Sequence, residues 1–123
     1  MFALTSSMEY YLFSAATDMR MGFDALCGLV QTRMNVNARS GQVFIFVNRR
    51  RDRLKLLHWE PGGFVLYCKR LEMGTFEIPP FPQQASQNCV DWPSLVMIIE
   101  GFSVQNILRR KRFQEPSKKQ NQT

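Results

Sequence analysis

Residues 41–71 read GQVFIFVNRRRDRLKLLHWEPGGFVLYCKRL, and this stretch decides the fold. Two apolar runs, Val43 to Val47 and Phe64 to Cys68, flank a basic middle. Side chains on a strand alternate between faces. Over Gln42 to Asn48, Phe44 and Phe46 therefore share one face, and Val43, Ile45 and Val47 the other. Both faces are apolar, which predicts a central strand covered on both sides. Arg49 to Asp52 reads as the hairpin connection. The strand Arg53 to Trp59 then separates Arg53, Lys55, Leu57 and Trp59 from Leu54, Leu56 and His58. Pro61-Gly62-Gly63 is a strong turn signal. In the next strand Phe64, Leu66 and Cys68 alternate with Val65, Tyr67 and Lys69. The pattern is a β-meander that presents Arg49, Arg50, Arg51, Arg53 and Lys55 within one short segment.

Outward from the meander, Tyr10 to Ala16 reads as a short strand. Thr17-Asp18 offers a side-chain oxygen that can cap the start of a helix. That helix is predicted to run to about Met34, since Phe23, Leu26, Cys27, Val30 and Met34 recur at three- and four-residue steps. Glu72-Met73-Gly74 is a turn and Thr75 to Ile78 a short edge strand. Pro79-Pro80 and Pro82 end it, because proline cannot donate to a sheet ladder. Gln83 to Asn88 reads as a polar linker. Pro93 to about Glu100 suits a short helix, with Asp91 upstream. The fold class is α+β: an antiparallel meander packed by one helix in the N-terminal half and a short C-terminal helix. Residues 1–113 form one domain, and residues 114–123 read as a disordered tail.

The chain has 123 residues, 45% of them apolar, which fits one domain with one core. A net charge of +6 makes an acidic partner plausible, nucleic acid first. The three cysteines, Cys27, Cys68 and Cys89, and the single His58 make no zinc-binding pattern. Reduced thiols and a cytoplasmic location are expected. No apolar run approaches the ~20 residues needed to span a bilayer, and no signal peptide is evident.

The basic cluster has two readings. Arginine suits phosphate because its planar fork pairs bidentately, so the hairpin could straddle a nucleic-acid backbone. It is equally a solvated hairpin tip. Trp59 and Tyr67 could stack on bases if exposed, although aromatics of this kind usually pack inside. Lys69 and Arg70 extend the cluster, and Arg109, Arg110, Lys111 and Arg112 form a second basic run. The carboxylates are scattered, so a two-metal phosphoryl-transfer site is not expected. His58 lies mid-strand without a partnering nucleophile. Cys27 and Cys68 read as core, and Cys89 as a loop thiol. No catalytic residue, metal ligand or cofactor is assigned.

Several blocks then resemble one family. They are Thr17-Asp18-Met19-Arg20 with Gly22 and Leu26, Ser40-Gly41 with Phe44-Ile45-Phe46, and Arg49-Arg50 with Arg53 through Trp59. Gly63-Phe64, Lys69-Arg70-Leu71-Glu72, Gly74 and Phe76 complete the set. Together these are similar to the Orf2-like (TnpB-type) accessory proteins of bacterial insertion sequence family sixty-six, over about residues 10 to 80 and more weakly over 95 to 113. Met21 stands where that family usually has lysine, and Glu77-Ile78-Pro79 replaces a segment with tryptophan before the proline. The resemblance implies a role in transposition beside a separate transposase that carries the catalytic carboxylates.

Two functional expectations follow. In the first, the protein is a non-catalytic accessory factor that binds DNA through Arg49, Arg50, Arg51, Arg53 and Lys55, helped by Lys69, Arg70, Arg109, Arg110, Lys111 and Arg112. In the second, it is an interaction module that docks on the transposase or a sister accessory protein, with Thr75 to Ile78 as the docking edge. The oligomeric state is left open.

Overall fold

Val43–Val47 (β2) is buried at every position and is the middle strand of a five-stranded sheet. The structure is a computed structural model that describes residues 4–78 and 87–100. The second basic run and the tail beyond residue 113 lie outside the described residues, as do Pro79, Pro80 and Pro82. In chain order the other elements are β1 (Tyr10–Phe13), α1 (Phe23–Arg33), β3 (Arg53–Glu60), β4 (Gly63–Arg70), β5 (Gln87–Val90) and α2 (Trp92–Glu100). The sheet order is β4-β3-β2-β1-β5.

The meander β2-β3-β4 is antiparallel throughout, with Val47 opposite Leu54 and Glu60 opposite Gly63. Pro61 and Gly62 alone connect the last pair. Gly62 sits at φ 95°, as a type II turn requires at its third residue. β1 is instead parallel to β2, Tyr10 facing Val43. A parallel pair needs a crossover connection, and α1 supplies it. The sheet is therefore mixed rather than wholly antiparallel.

The two parities of β2 build two cores. Val43, Ile45 and Val47 pack with Tyr10, Leu12, Leu54, Leu56, Phe76 and the Leu95, Ile98 and Ile99 of α2. Phe44 and Phe46 pack on the other face with Phe13, Leu57, Met34 and the Leu26 and Val30 of α1. One helix thus covers each face of the sheet. No helix among the described residues is long and apolar enough to cross a membrane.

Six local expectations are corrected. The strand from Tyr10 stops at Phe13 rather than Ala16. The helix starts at Phe23, capped by Gly22 without a side-chain hydrogen bond. Asp18 is not its cap. The Asp18 carboxylate accepts the N–H of Arg20 at 2.9 Å, a local Asx bond that competes with helix formation. Phe23, at the first position of the helix, is 47% exposed. Thr75 to Ile78 is not a strand; Phe76 is buried, and its N–H donates to the Arg51 carbonyl at 2.6 Å. The expected polar linker ends as β5, antiparallel to β1 with Val90 opposite Tyr10 and Gln87 opposite Phe13. Cys89 accordingly lies on a strand. Cys68 is exposed rather than buried; among the described residues β4 has a sheet neighbour on one side only.

The C-terminal helix behaves as expected. Asp91 accepts the Ser94 N–H at 2.9 Å on its carboxylate, and its carbonyl accepts the Leu95 N–H at 2.9 Å. Side-chain and backbone hydrogen bonds from Ser94 hold the Asp91 carboxyl below the usual range.

Candidate nucleic-acid interface

The tip between β2 and β3 is built by Asn48. Its Oδ1 accepts the N–H groups of Asp52 (3.1 Å) and Arg53 (3.0 Å), and its Nδ2 donates to Asp52 Oδ1 at 2.7 Å. The Arg51 N–H donates to the Asn48 carbonyl at 3.0 Å. The Asp52 carbonyl accepts the Leu71 N–H at 2.8 Å, which ties the tip to the end of β4. Every polar group of Asn48 and Asp52 named here is spent on the turn, so the arginines project from a fixed frame. Arg49, Arg50, Arg51 and Arg53 are all exposed. Arg51 sits at φ 60°, a left-handed conformation that glycine or asparagine ordinarily occupies.

Pairing between β3 and β4 sets Arg70 opposite Arg53. Like charges directly across a pair are destabilising. Arg70 is partly relieved by Glu72, at 3.2 Å in an exposed ion pair that contributes little. Arg49, Arg50, Arg51, Arg53 and Arg70 thus gather at one end of the sheet.

Two lysines of the expected set face elsewhere. The Lys55 ammonium donates to the carbonyls of Met19 at 2.9 Å and Met21 at 2.7 Å. Lys69, on the opposite sheet face, donates to the Ile99 carbonyl at 3.0 Å. That carbonyl is at the negative end of α2, where a cation is favoured. Trp59 and Tyr67 also separate, one with Leu57 on the α1 face and one with Leu56 on the α2 face. The Arg39 guanidinium lies 5.0 Å over the Trp59 ring and Phe64 meets its edge at 4.9 Å. A base could stack on the Arg39-covered face only by displacing that cation.

Sequence reasoning missed Arg20. Residues 14–22 form a loop alongside the hairpin tip, and the Thr17 N–H donates to the Val47 carbonyl at 2.9 Å. Lys55 holds the same loop from below. Between loop and tip lies a cleft of about 600 Å³, lined by Ala16 to Arg20, Asn48, Arg49, Arg50, Asp52 and Arg53. The Arg20 guanidinium is 91% exposed and pairs with Asp18 at 2.6 Å. The side-chain and backbone hydrogen bonds from Arg20 bring the Asp18 carboxyl down to about 2. The Thr17-Asp18-Met19-Arg20 block carries the signal, masked by the helix-cap chemistry of Thr17-Asp18. Among the described residues, no three His, Cys, Asp or Glu side chains are grouped to hold a metal ion.

The profile of the family described as IS66 Orf2 like protein matches residues 8–109. The uncharacterized protein y4jC of Sinorhizobium fredii is 31% identical over 101 residues, which is 82% of this chain and 84% of that protein. The uncharacterized protein y4hO of the same organism is 33% identical over 73 residues, covering 59% of this chain and 64% of that protein. No solved structure matches.

Proposed function

The chain belongs to the IS66 Orf2-like family, and on that premise we propose that it is a non-catalytic accessory protein of insertion-sequence transposition. In this reading it works in the cytoplasm, binds DNA through the arginine end of the sheet and assists a separate transposase. The observation that carries the reading is the convergence of Arg49, Arg50, Arg51, Arg53 and Arg70 on one rigid end. Contacts of this kind position a protein on the backbone and read little sequence.

Titration of duplex DNA with the purified protein at several salt concentrations tests the proposal. Neutralising about five phosphates gives a log–log salt slope near −4 to −5. No binding at low salt, or an affinity indifferent to salt, would refute it. A second reading, docking on the transposase, is favoured by β4, an eight-residue edge strand with no neighbour on its outer side among the described residues. Co-purification of the two proteins without DNA would support it, and their failure to associate would remove it.

A further inference from the structure

The cleft between the 14–22 loop and the hairpin tip differs in kind from the exposed arginines beside it. Its volume of about 600 Å³ falls within the roughly 300–1,000 Å³ of small-ligand sites. A duplex is too wide to enter such a space and can only lie across its mouth. A lone strand, or one unpaired nucleotide, can enter. The lining carries four arginines, Arg20, Arg49, Arg50 and Arg53, against the carboxylates of Asp18 and Asp52. Both carboxylates are already engaged, Asp18 by Arg20 and Asp52 by Asn48. The hairpin wall keeps net positive charge, and on the loop wall Arg20 balances Asp18 in an exposed pair that it can exchange for a phosphate oxyanion.

A second observation lies in the wall itself. Thr17 is 4% exposed, and its Oγ1 is buried with no hydrogen-bond partner among the described residues. A buried hydroxyl without a partner is costly. Thr17 lines the cleft, so the wall beside the guanidinium groups holds a polar atom that the fold leaves unsatisfied. No aromatic ring lines the cleft, so recognition falls on phosphate and sugar, with guanidinium planes available to a base. Such binding is sequence-tolerant.

We infer that this cleft holds an unpaired nucleotide of DNA, its phosphate between Arg20 on the loop and Arg49, Arg50 and Arg53 on the hairpin. The inference rests on the DNA-binding reading and makes it more specific. The protein would favour duplex with a single-stranded end or flank over continuous duplex, and Arg20 would carry the difference.

The test compares a blunt duplex with the same duplex bearing a short single-stranded overhang, by fluorescence anisotropy, for the full chain and three variants. The overhang is expected to raise affinity at least about tenfold, the lower end of what one charge-assisted hydrogen bond to a held phosphate contributes. Arg20→Gln abolishes that preference, lowering overhang affinity by a larger factor than blunt-duplex affinity, which the tip arginines carry. Arg20→Lys restores part of it, a result that a misfolded loop would not give. Arg51→Gln, outside the cleft lining, weakens both DNAs alike. Equal affinity for the two DNAs, or equal loss on both in Arg20→Gln, overturns the inference while leaving duplex binding standing. Absence of binding to either DNA overturns the inference and the DNA-binding reading together.

Discussion

Replacing Lys55 with methionine separates two physical roles that its charge alone cannot distinguish. Methionine keeps most of the apolar stem and removes the ammonium. What is lost is the pair of bonds to the Met19 and Met21 carbonyls, at 2.9 and 2.7 Å. Hydrogen bonds from a charged group contribute about 1.5–3 kcal/mol each. Lys55 is only half-buried, and the freed carbonyls regain water, so the joint loss is discounted to about 2 kcal/mol. For a domain of this size that corresponds to a fall in Tm of about 6–10 °C. The assay is thermal or urea unfolding, run beside a salt titration of duplex binding. A lysine that clamps the loop gives the stability loss and leaves the salt slope for blunt duplex unchanged. The overhang preference falls with it, because Arg20 rides on the released loop. A lysine that contacts phosphate does the reverse, lowering the slope magnitude by about 0.9 at unchanged stability. That second outcome would refute the clamp.

Two further perturbations test the frame around the arginines. Arg51→Gly removes a side chain from φ 60°. Relief of a left-handed conformation, about 1–2 kcal/mol, outweighs the entropy cost of glycine, about 0.5–1 kcal/mol. The variant is expected to unfold at slightly higher denaturant while binding duplex more weakly, and a clear destabilisation would sink the strain reading. For Asp18, the folded carboxyl at about 2 lies below its ordinary 3.8. The sign follows: its pairing with Arg20 stabilises the fold above about pH 4 and fades as pH falls through about 2. In Arg20→Gln the Asp18 titration, followed by carboxyl carbon NMR, should move up toward the ordinary value but not reach it, because the backbone N–H remains. An unmoved titration would break the assignment.

The meander was legible because period-two alternation and a Pro-Gly turn speak through neighbouring residues. So was the central place of β2, since both parities of Val43 to Val47 are apolar. β5 was not legible. Gln87, Asn88 and Cys89 lack strand composition, and Asn88 is buried only because β1 needs an outer partner. The parallel pairing of β1 with β2 has no local signature either; strand direction is settled by the crossover. At the site, sequence identified which side chains are cationic but not what each one meets. Lys55 and Lys69 find carbonyls that lie 36 and 30 residues away in the chain. Arg20 was overlooked because Thr17-Asp18 has the chemistry of a helix cap, and that chemistry is used here inside a loop.

The place of β1 bears on how the chain is made. It is the first strand among the described residues, yet it is interior, and its outer hydrogen bonds wait for Gln87 to Val90. The meander with its arginine tip can close as soon as Arg70 has been synthesised. Until β5 arrives, β1 presents an unpaired ladder, and Tyr10, Leu12, Val43 and Ile45 lack the cover of α2. An open edge beside uncovered apolar surface is the form in which chains add to one another. A chain cut before Gln87 would therefore be an aggregating fragment rather than a shortened working protein.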